Sequence, residues 1–261
     1  MKSLINPINK VKFQKDFLLK EPFSYFCIDN FLNEDFANDV HDSFPSYLDA
    51  QKLGKEFAAV NEKRKVQITD SSLYPPAIRK LSDLLASEEY LQMWSELTGI
   101  PDLLADLSLR GGGIHETNTG GHLDVHVDFN YNDKTKSYRR LNILIYFNKD
   151  WKIEYGGYLD IWDKDIKKCY GSFSPKFNRA CGFITSEISF HGVTPLNCPS
   201  NIVRKSFAAY YYTKTMPEWW EGEEHSTIFK ARPNERLKGR ILMPVEKIRK
   251  RIKKLFRYFK K

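Results

Sequence analysis

A mainly β protein, barrel or sandwich, with helices gathered at its N-terminal end is the fold class this sequence predicts. Between about residues 102 and 214, short alternating or β-branched runs follow one another, separated by turn residues. Before residue 101 the apolar spacing is helical instead. An aromatic content of 14% suits a β-rich body, and 261 residues with 41% hydrophobic content can bury a substantial core.

The elements follow in order. "EDFANDVHDSF", "PPAIRKLSDLLAS" and "EEYLQMWSELTG" read as helices, the second opened by prolines and the third ended by glycine. They define an N-terminal helical support region, residues 1–101, packed on the barrel. "DLSLR", "HLDVHVDF", "RLNILIYF", "GYLDIWD", "ACGFIT" and "KSFAAYYYT" read as strands of a core spanning 102–214. Residues 215–261 form a polar C-terminal extension ending in a basic amphipathic tail.

Charge and cysteines exclude several function classes. The net charge of +8 suggests nucleic acid until it is located, because nine Lys or Arg and no acid lie within residues 247–261 and the rest carries 8 minus 9, or −1. No specific nucleic-acid partner is expected from a neutral body. In the tail, Ile248, Ile252, Leu255, Phe256 and Phe259 recur at helical spacing after Pro244, which predicts either peripheral contact with an anionic membrane or packing on the barrel. No apolar run approaches bilayer length, and the N-terminus lacks a signal-peptide core. Cys27, Cys169, Cys181 and Cys198 are scattered, without the spacing of a zinc ribbon or a disulfide framework. The expectation is a cytoplasmic protein in a reducing compartment, peripheral at most at the inner membrane surface.

The chemistry concentrates in "HLDVHVDF". Period-two alternation places His122, Asp124, His126 and Asp128 on one face and Leu123, Val125, Val127 and Phe129 on the other. The polar face is either solvated or a metal site, and either His-x-Asp pair could supply it. A facial site for mononuclear non-haem iron needs two imidazoles and one carboxylate, with the opposite positions open. One strand provides only part of this. His41 falls in a predicted helix, His225 lies beyond the strands and His115 sits just upstream, so His191 in "ISFHGVTPL" is the best third ligand.

Two further strands add a pocket. In "RKSFAAYYYT" Arg204 and Ser206 share a face and could hold the far carboxylate of an acid cosubstrate through charge-assisted hydrogen bonds. In "RLNILIYF" Asn142, Leu144 and Tyr146 share one face, opposite Leu141, Ile143, Ile145 and Phe147, giving an apolar wall with a single phenol. Tyr131, Tyr138, Arg139 and Trp162 are placed near the mouth.

The succession "HVD", "RRLNILIYFNKDW", "GGYLDIWD", "SPKFNRACGFITSEISFHGVTPL" and "RKSFAAYYYT" resembles the prolyl-4-hydroxylase-like branch of the 2-oxoglutarate and Fe(II)-dependent oxygenases, over roughly residues 104–213. The resemblance implies a double-stranded β-helix, or jelly-roll, core with N-terminal support helices. It selects His126 and Asp128 from the two pairs and gives Fe(II) to His126, Asp128 and His191. It assigns the distal carboxylate of 2-oxoglutarate to Arg204, with Tyr146 and Ser206. The implied activity is a dioxygenase using O2, with ascorbate a candidate reductant. It would hydroxylate an unactivated C–H bond while decarboxylating 2-oxoglutarate to succinate and CO2. The His191–Arg204 interval is longer than the family pattern, and the N-terminal hundred residues match no substrate-recognition element, leaving peptidyl proline, a small molecule or a sugar as substrate. Two other classes remain: a cupin-type metal enzyme without 2-oxoglutarate, which should lack the Arg204–Tyr146 pocket, and a non-catalytic metal-binding module.

Overall fold

The computed structural model describes residues 3–220, 222–235 and 237–245. The tail expected to meet a membrane, 247–261, lies outside them. Among the described residues, no helix is long and apolar enough to cross a membrane.

The N-terminal part runs α1 (Lys10–Leu18), β1 (Tyr25–Ile28), α2 (Glu34–Asp42), α3 (Tyr47–Leu53), β2 (Lys55–Ala58), β3 (Glu62–Ile68), α4 (Pro76–Ala86) and α5 (Glu88–Thr98). The remaining strands are β4 (Leu104–Ala105), β5 (Gly113–Val127), β6 (Tyr131–Asn132), β7 (Ser137–Tyr146), β8 (Leu159–Trp162), β9 (Cys169–Phe173), β10 (Arg179–Ile184), β11 (His191–Val193), β12 (Arg204–Thr213) and β13 (Ile228–Phe229). Helix starts carry the expected chemistry: Asn9, Asn33, Ser46 and Ser87 each accept a hydrogen bond from an amide in the first turn that follows. Gly99 ends α5 at φ 74°, a left-handed conformation that glycine adopts without a Cβ clash.

The main sheet runs β1-β10-β7-β12-β5-β11-β8-β9, with antiparallel neighbours throughout. It curls into a double-stranded β-helix. The proof is in the packing, because Leu159 and Ile161 of β8 share one apolar cluster with Tyr146 of β7 and with Cys181 and Phe183 of β10, strands far from β8 in the sheet order. At the seam between the two ends of that order, the rings of Tyr25 and Phe173 stand 5.7 Å apart.

The helices cover the outer face of β10, β7 and β12. Leu141, Ile143, Ile145, Phe147, Phe207 and Tyr211 pack there against α1, α2, α4 and α5 around Trp94, which stacks on Phe26 at 4.7 Å. Alternation along β7 thus sends its aliphatic set outward to the helices and leaves Asn142, Leu144 and Tyr146 for the barrel interior.

Two segments differ from the sequence reading. The first hundred residues are not only helical, since β1 pairs with β10 and β3 with β5, so this region also widens the barrel sheet. Asp106–Arg110, read as a strand, is a turn. The Asp106 carboxylate accepts from the amides of Ser108 and Arg110, both at 2.9 Å, and so competes with a ladder.

Glu116 in β5 is fully buried and neither carboxyl oxygen has a partner. Burial raises its pKa to about 7, with Lys205 opposing. The folded state therefore holds a proton that the unfolded chain releases from about pH 4.5 upward, and stability falls as pH rises from there through about 7. Glu116→Gln should stabilise the protein by about 3 kcal/mol at pH 8 and by little near pH 4. Thermal melts of both proteins at the two pH values check this.

Candidate metal centre and cosubstrate pocket

Three side chains converge at one end of the barrel interior. His126 is the penultimate residue of β5, Asp128 follows the strand's end, and His191 opens β11 directly opposite His126 in the ladder. One ligand atom from each lies within 4.8 Å of the others. His126 Nε2 is 3.5 Å from Asp128 Oδ1, and His191 Nε2 is 3.5 Å from Asp128 Oδ2.

Backbone carbonyls fix how the imidazoles present themselves. His126 Nδ1 lies 2.8 Å from the Asp124 carbonyl and His191 Nδ1 2.9 Å from that of Ser189. A carbonyl only accepts, so each Nδ1 carries a proton, and Nε2, the nitrogen facing Asp128, is the one each ring can offer to a metal. Burial, aided by His126, lowers the His191 pKa to about 3, which keeps that ring neutral. Asp128 loses solvation too, yet Arg139 and the two histidines outweigh this and hold its carboxyl well below the usual range. Two imidazoles presenting Nε2 and one carboxylate form the donor set that a divalent iron takes.

The carboxylate is gripped from behind. Asn142 Nδ2 donates to Asp128 Oδ2 at 2.7 Å, Arg139 Nη2 is ion-paired with the same oxygen at 3.1 Å, and Arg139 Nε donates to Asn142 Oδ1 at 2.9 Å. The Arg139 guanidinium is sandwiched between the rings of Tyr210, at 3.7 Å, and Phe129, at 4.7 Å. Far from lining the mouth, where the sequence reading put it, Arg139 is 1% exposed. With Oδ2 occupied, Oδ1 is the oxygen left for a metal. Asn142→Ala should weaken Fe(II) binding about 10- to 100-fold, as loss of an outer-shell partner does, with the fold intact. Equilibrium dialysis of Fe(II) under anaerobic conditions reads it.

Farther along the same interior lies a second polar site. Arg204, at the start of β12, donates from Nε to the Gly157 carbonyl at 2.8 Å and approaches Ser206 Oγ at 3.5 Å, with its guanidinium 4.9 Å from the Tyr146 ring centroid. Gly157 has φ 71°, and a Cβ there would stand 3.0 Å from Arg204 Cδ, so glycine admits the arginine. Arg204 Nη2 and Tyr146 Oη are buried without a hydrogen-bond partner. Two converging buried donors are costly unless an acceptor meets them. Burial raises the Tyr146 pKa, so the phenol keeps its proton to donate. Asn142 and Tyr146 share a face four residues apart on β7, so about 13 Å of strand separates the end of the barrel at the triad from the end at Arg204.

The upstream pair serves another purpose. Asp124 binds Lys238 Nζ at 2.5 Å and His122 Nε2 meets the Val60 carbonyl at 3.1 Å, so both tie down neighbouring segments. His115 is buried against the Gly111 carbonyl, and His225 pairs with Glu187 at 2.7 Å. The C-terminal extension also closes on the metal end. β13 pairs with β5 at Val127 and His126, and the Phe229 ring stands 5.3 Å from that of His126. Asn142 was within reach of the strand alternation, whereas nothing local to residues 228–229 signals that they return to β5.

Comparison with known proteins supports this picture. Residues 112–212 match the family model described as the 2OG-Fe(II) oxygenase superfamily. Among solved structures, the chain is similar to a prolyl hydroxylase from Trichoplax adhaerens in complex with a hypoxia inducible factor oxygen degradation domain peptide fragment, with TM-score 0.56 and 16% identity over 78% of this chain and 91% of that one. It is also similar to a prolyl-4-hydroxylase from Pseudomonas putida, with TM-score 0.51 and 15% identity over 77% and 98% of the two chains. A third is HygX from Streptomyces hygroscopicus with nickel, 2-oxoglutarate and hygromycin B bound, at TM-score 0.51 and 11% identity over 79% and 89%. No curated protein sequence matches the chain. Residues 112–212 thus match a 2-oxoglutarate and Fe(II)-dependent oxygenase model, and the triad and the orphaned donor pair have the chemistry to hold both groups.

Proposed function

We propose that this chain, whose residues 112–212 match the 2OG-Fe(II) oxygenase superfamily model, hydroxylates an unactivated C–H bond of its substrate. His126, Asp128 and His191 hold Fe(II), and Arg204, Tyr146 and Ser206 receive the distal carboxylate of 2-oxoglutarate. When bound, the iron and cosubstrate supply oxygen activation coupled to decarboxylation of 2-oxoglutarate to succinate and CO2. The protein supplies orientation. The backbone carbonyls of Asp124 and Ser189 set the imidazole tautomers, and Asn142 and Arg139 hold the carboxylate on one oxygen. Arg204 and the Tyr146 hydroxyl fix the cosubstrate at its far end, while Leu159, Ile161 and Phe183 keep water from that end of the barrel.

The single observation that carries this reading is the coexistence of the triad with the unpartnered Arg204 Nη2 and Tyr146 Oη. A cupin-type enzyme or a structural metal site would leave those two donors without use. The solved neighbours are seen with bound molecules as different as a peptide fragment and hygromycin B. The substrate here is therefore defined by its C–H bond alone. The test is succinate release by the full-length protein with Fe(II), 2-oxoglutarate and O2, followed by a screen of cell extract for products heavier by one oxygen. Absence of succinate from protein that binds iron would overturn the reading.

A further inference from the structure

The paired strands β1 and β10 carry two thiols that the oxygenase chemistry does not use. Cys27 and Cys181 are register partners, both are free, and their sulfurs lie 3.5 Å apart. The Ile184 amide donates to the Ser24 carbonyl, so by antiparallel alternation the hydrogen-bonded pairs fall at Phe26 and Ile28 and the Cys27–Cys181 pair falls between them. At such non-hydrogen-bonded positions facing Cα atoms approach to about 4.5 Å, within the span of a disulfide.

The two thiols stand in different surroundings. Cys27 is only partly buried and lines a cavity of about 400 Å³ between α1 and β1, whose rim includes Lys12, Lys20 and Asp29. Cys181 lies behind it, completely buried. Arg179 binds Asp29 through Nε and Nη2 at 2.5 and 2.8 Å, bringing a cation to this corner. The hydrogen bond with Cys181 draws the Cys27 pKa below its ordinary value in spite of burial, whereas burial pushes that of Cys181 up. One thiol is reachable and inclined to ionise; the other is shielded beside it.

The pair touches the cosubstrate pocket. Cys181 faces Leu144, which shares its side of β7 with Tyr146, and Cys27, Cys181, Leu144 and Tyr146 belong to one apolar cluster. A disulfide at about 2.05 Å would draw the sulfurs together by roughly 1.5 Å and so displace Cys181 within the cluster that packs Tyr146.

We propose that Cys27 and Cys181 form a redox modification site, in which peroxide oxidises Cys27, Cys181 resolves it as a cross-strand disulfide, and the 2-oxoglutarate pocket is loosened. The Cys27 thiolate attacks one peroxide oxygen, breaking the O–O bond to give a sulfenic acid and hydroxide. The Cys181 sulfur then attacks the Cys27 sulfur, forming S–S and expelling hydroxide. With the two thiol protons taken up as water, two thiols and one H2O2 become one disulfide and two H2O. A dithiol reverses the change.

Formation of the bond stands apart from the proposed function; its effect on the pocket rests on it. The experiment treats iron-free, full-length protein with dilute hydrogen peroxide, removes the peroxide, and maps peptides without reductant. The expected product is a Cys27 peptide linked to a Cys181 peptide, lighter by two hydrogens and undone by dithiothreitol. Cys27→Ser, and Cys181→Ala as a second variant should the first fold poorly, should give no link. After Fe(II) is added, the oxidised wild type should need about fivefold more 2-oxoglutarate for half-maximal succinate release, the worth of one neutral hydrogen bond. Cys27→Ser should show no such rise. Thiols left free, or Cys27 driven to sulfinic acid with Cys181 still reduced, would overturn the site. A linked pair with unchanged 2-oxoglutarate dependence would overturn the coupling. Failure of the reduced enzyme to make succinate would instead overturn the proposed function, and the peptide map would still decide the thiol pair.

Discussion

His191→Ala should reduce succinate release to the level seen without protein and weaken Fe(II) binding by more than about 100-fold, since loss of a mere outer-shell partner already costs about 10- to 100-fold. Two ligands from one side, His126 and Asp128, cannot make a facial site. The same outcome is expected for His126→Ala. His122→Ala should retain iron, because its imidazole meets the Val60 carbonyl instead. Anaerobic Fe(II) titration of the three variants, each checked for its melting temperature, reads the effect. Iron retained by His126→Ala and lost by His122→Ala would move the site four residues along the strand.

Arg204→Ala should raise the 2-oxoglutarate concentration for half-maximal succinate release about 10- to 150-fold, the worth of a hydrogen bond to a charged group, and leave Fe(II) affinity nearly unchanged. Lysine should not rescue it. The guanidinium uses Nε on the Gly157 carbonyl and keeps Nη2 free, a division of labour that a single ammonium cannot reproduce. Titration of the cosubstrate without a prime substrate separates this binding effect from any loss of turnover. An unchanged requirement would show that the orphaned Nη2 faces something other than the cosubstrate.

Legibility in the sequence followed the range of the interactions. Period-two alternation alone sorts β7 into its helix-facing and interior sets, and puts Arg204 and Ser206 on one side of β12, because strand geometry is local. Arg139 was harder to place. Its burial depends on the loop after Asp128 folding back so that Phe129 and Tyr210 enclose the guanidinium, and nothing within a few residues of Arg139 encodes that. The strands within the first hundred residues were hidden for a related reason. Tyr25–Ile28 is short, and its partner lies more than a hundred residues away in β10, so its pairing is a property of the whole barrel. Asp106–Arg110 shows the converse, a stretch with strand-like alternation diverted by one carboxylate that satisfies two nearby amides.

The central claim, one barrel interior holding iron at His126, Asp128 and His191 and 2-oxoglutarate between that iron and Arg204, is tested most directly by anaerobic equilibrium binding of 2-oxoglutarate with and without Fe(II). The expected result is tight binding that requires the metal, is lost in His191→Ala and is weakened in Arg204→Ala while iron is retained. Binding of 2-oxoglutarate that ignores both iron and Arg204, or no binding by the iron-loaded protein, would contradict it.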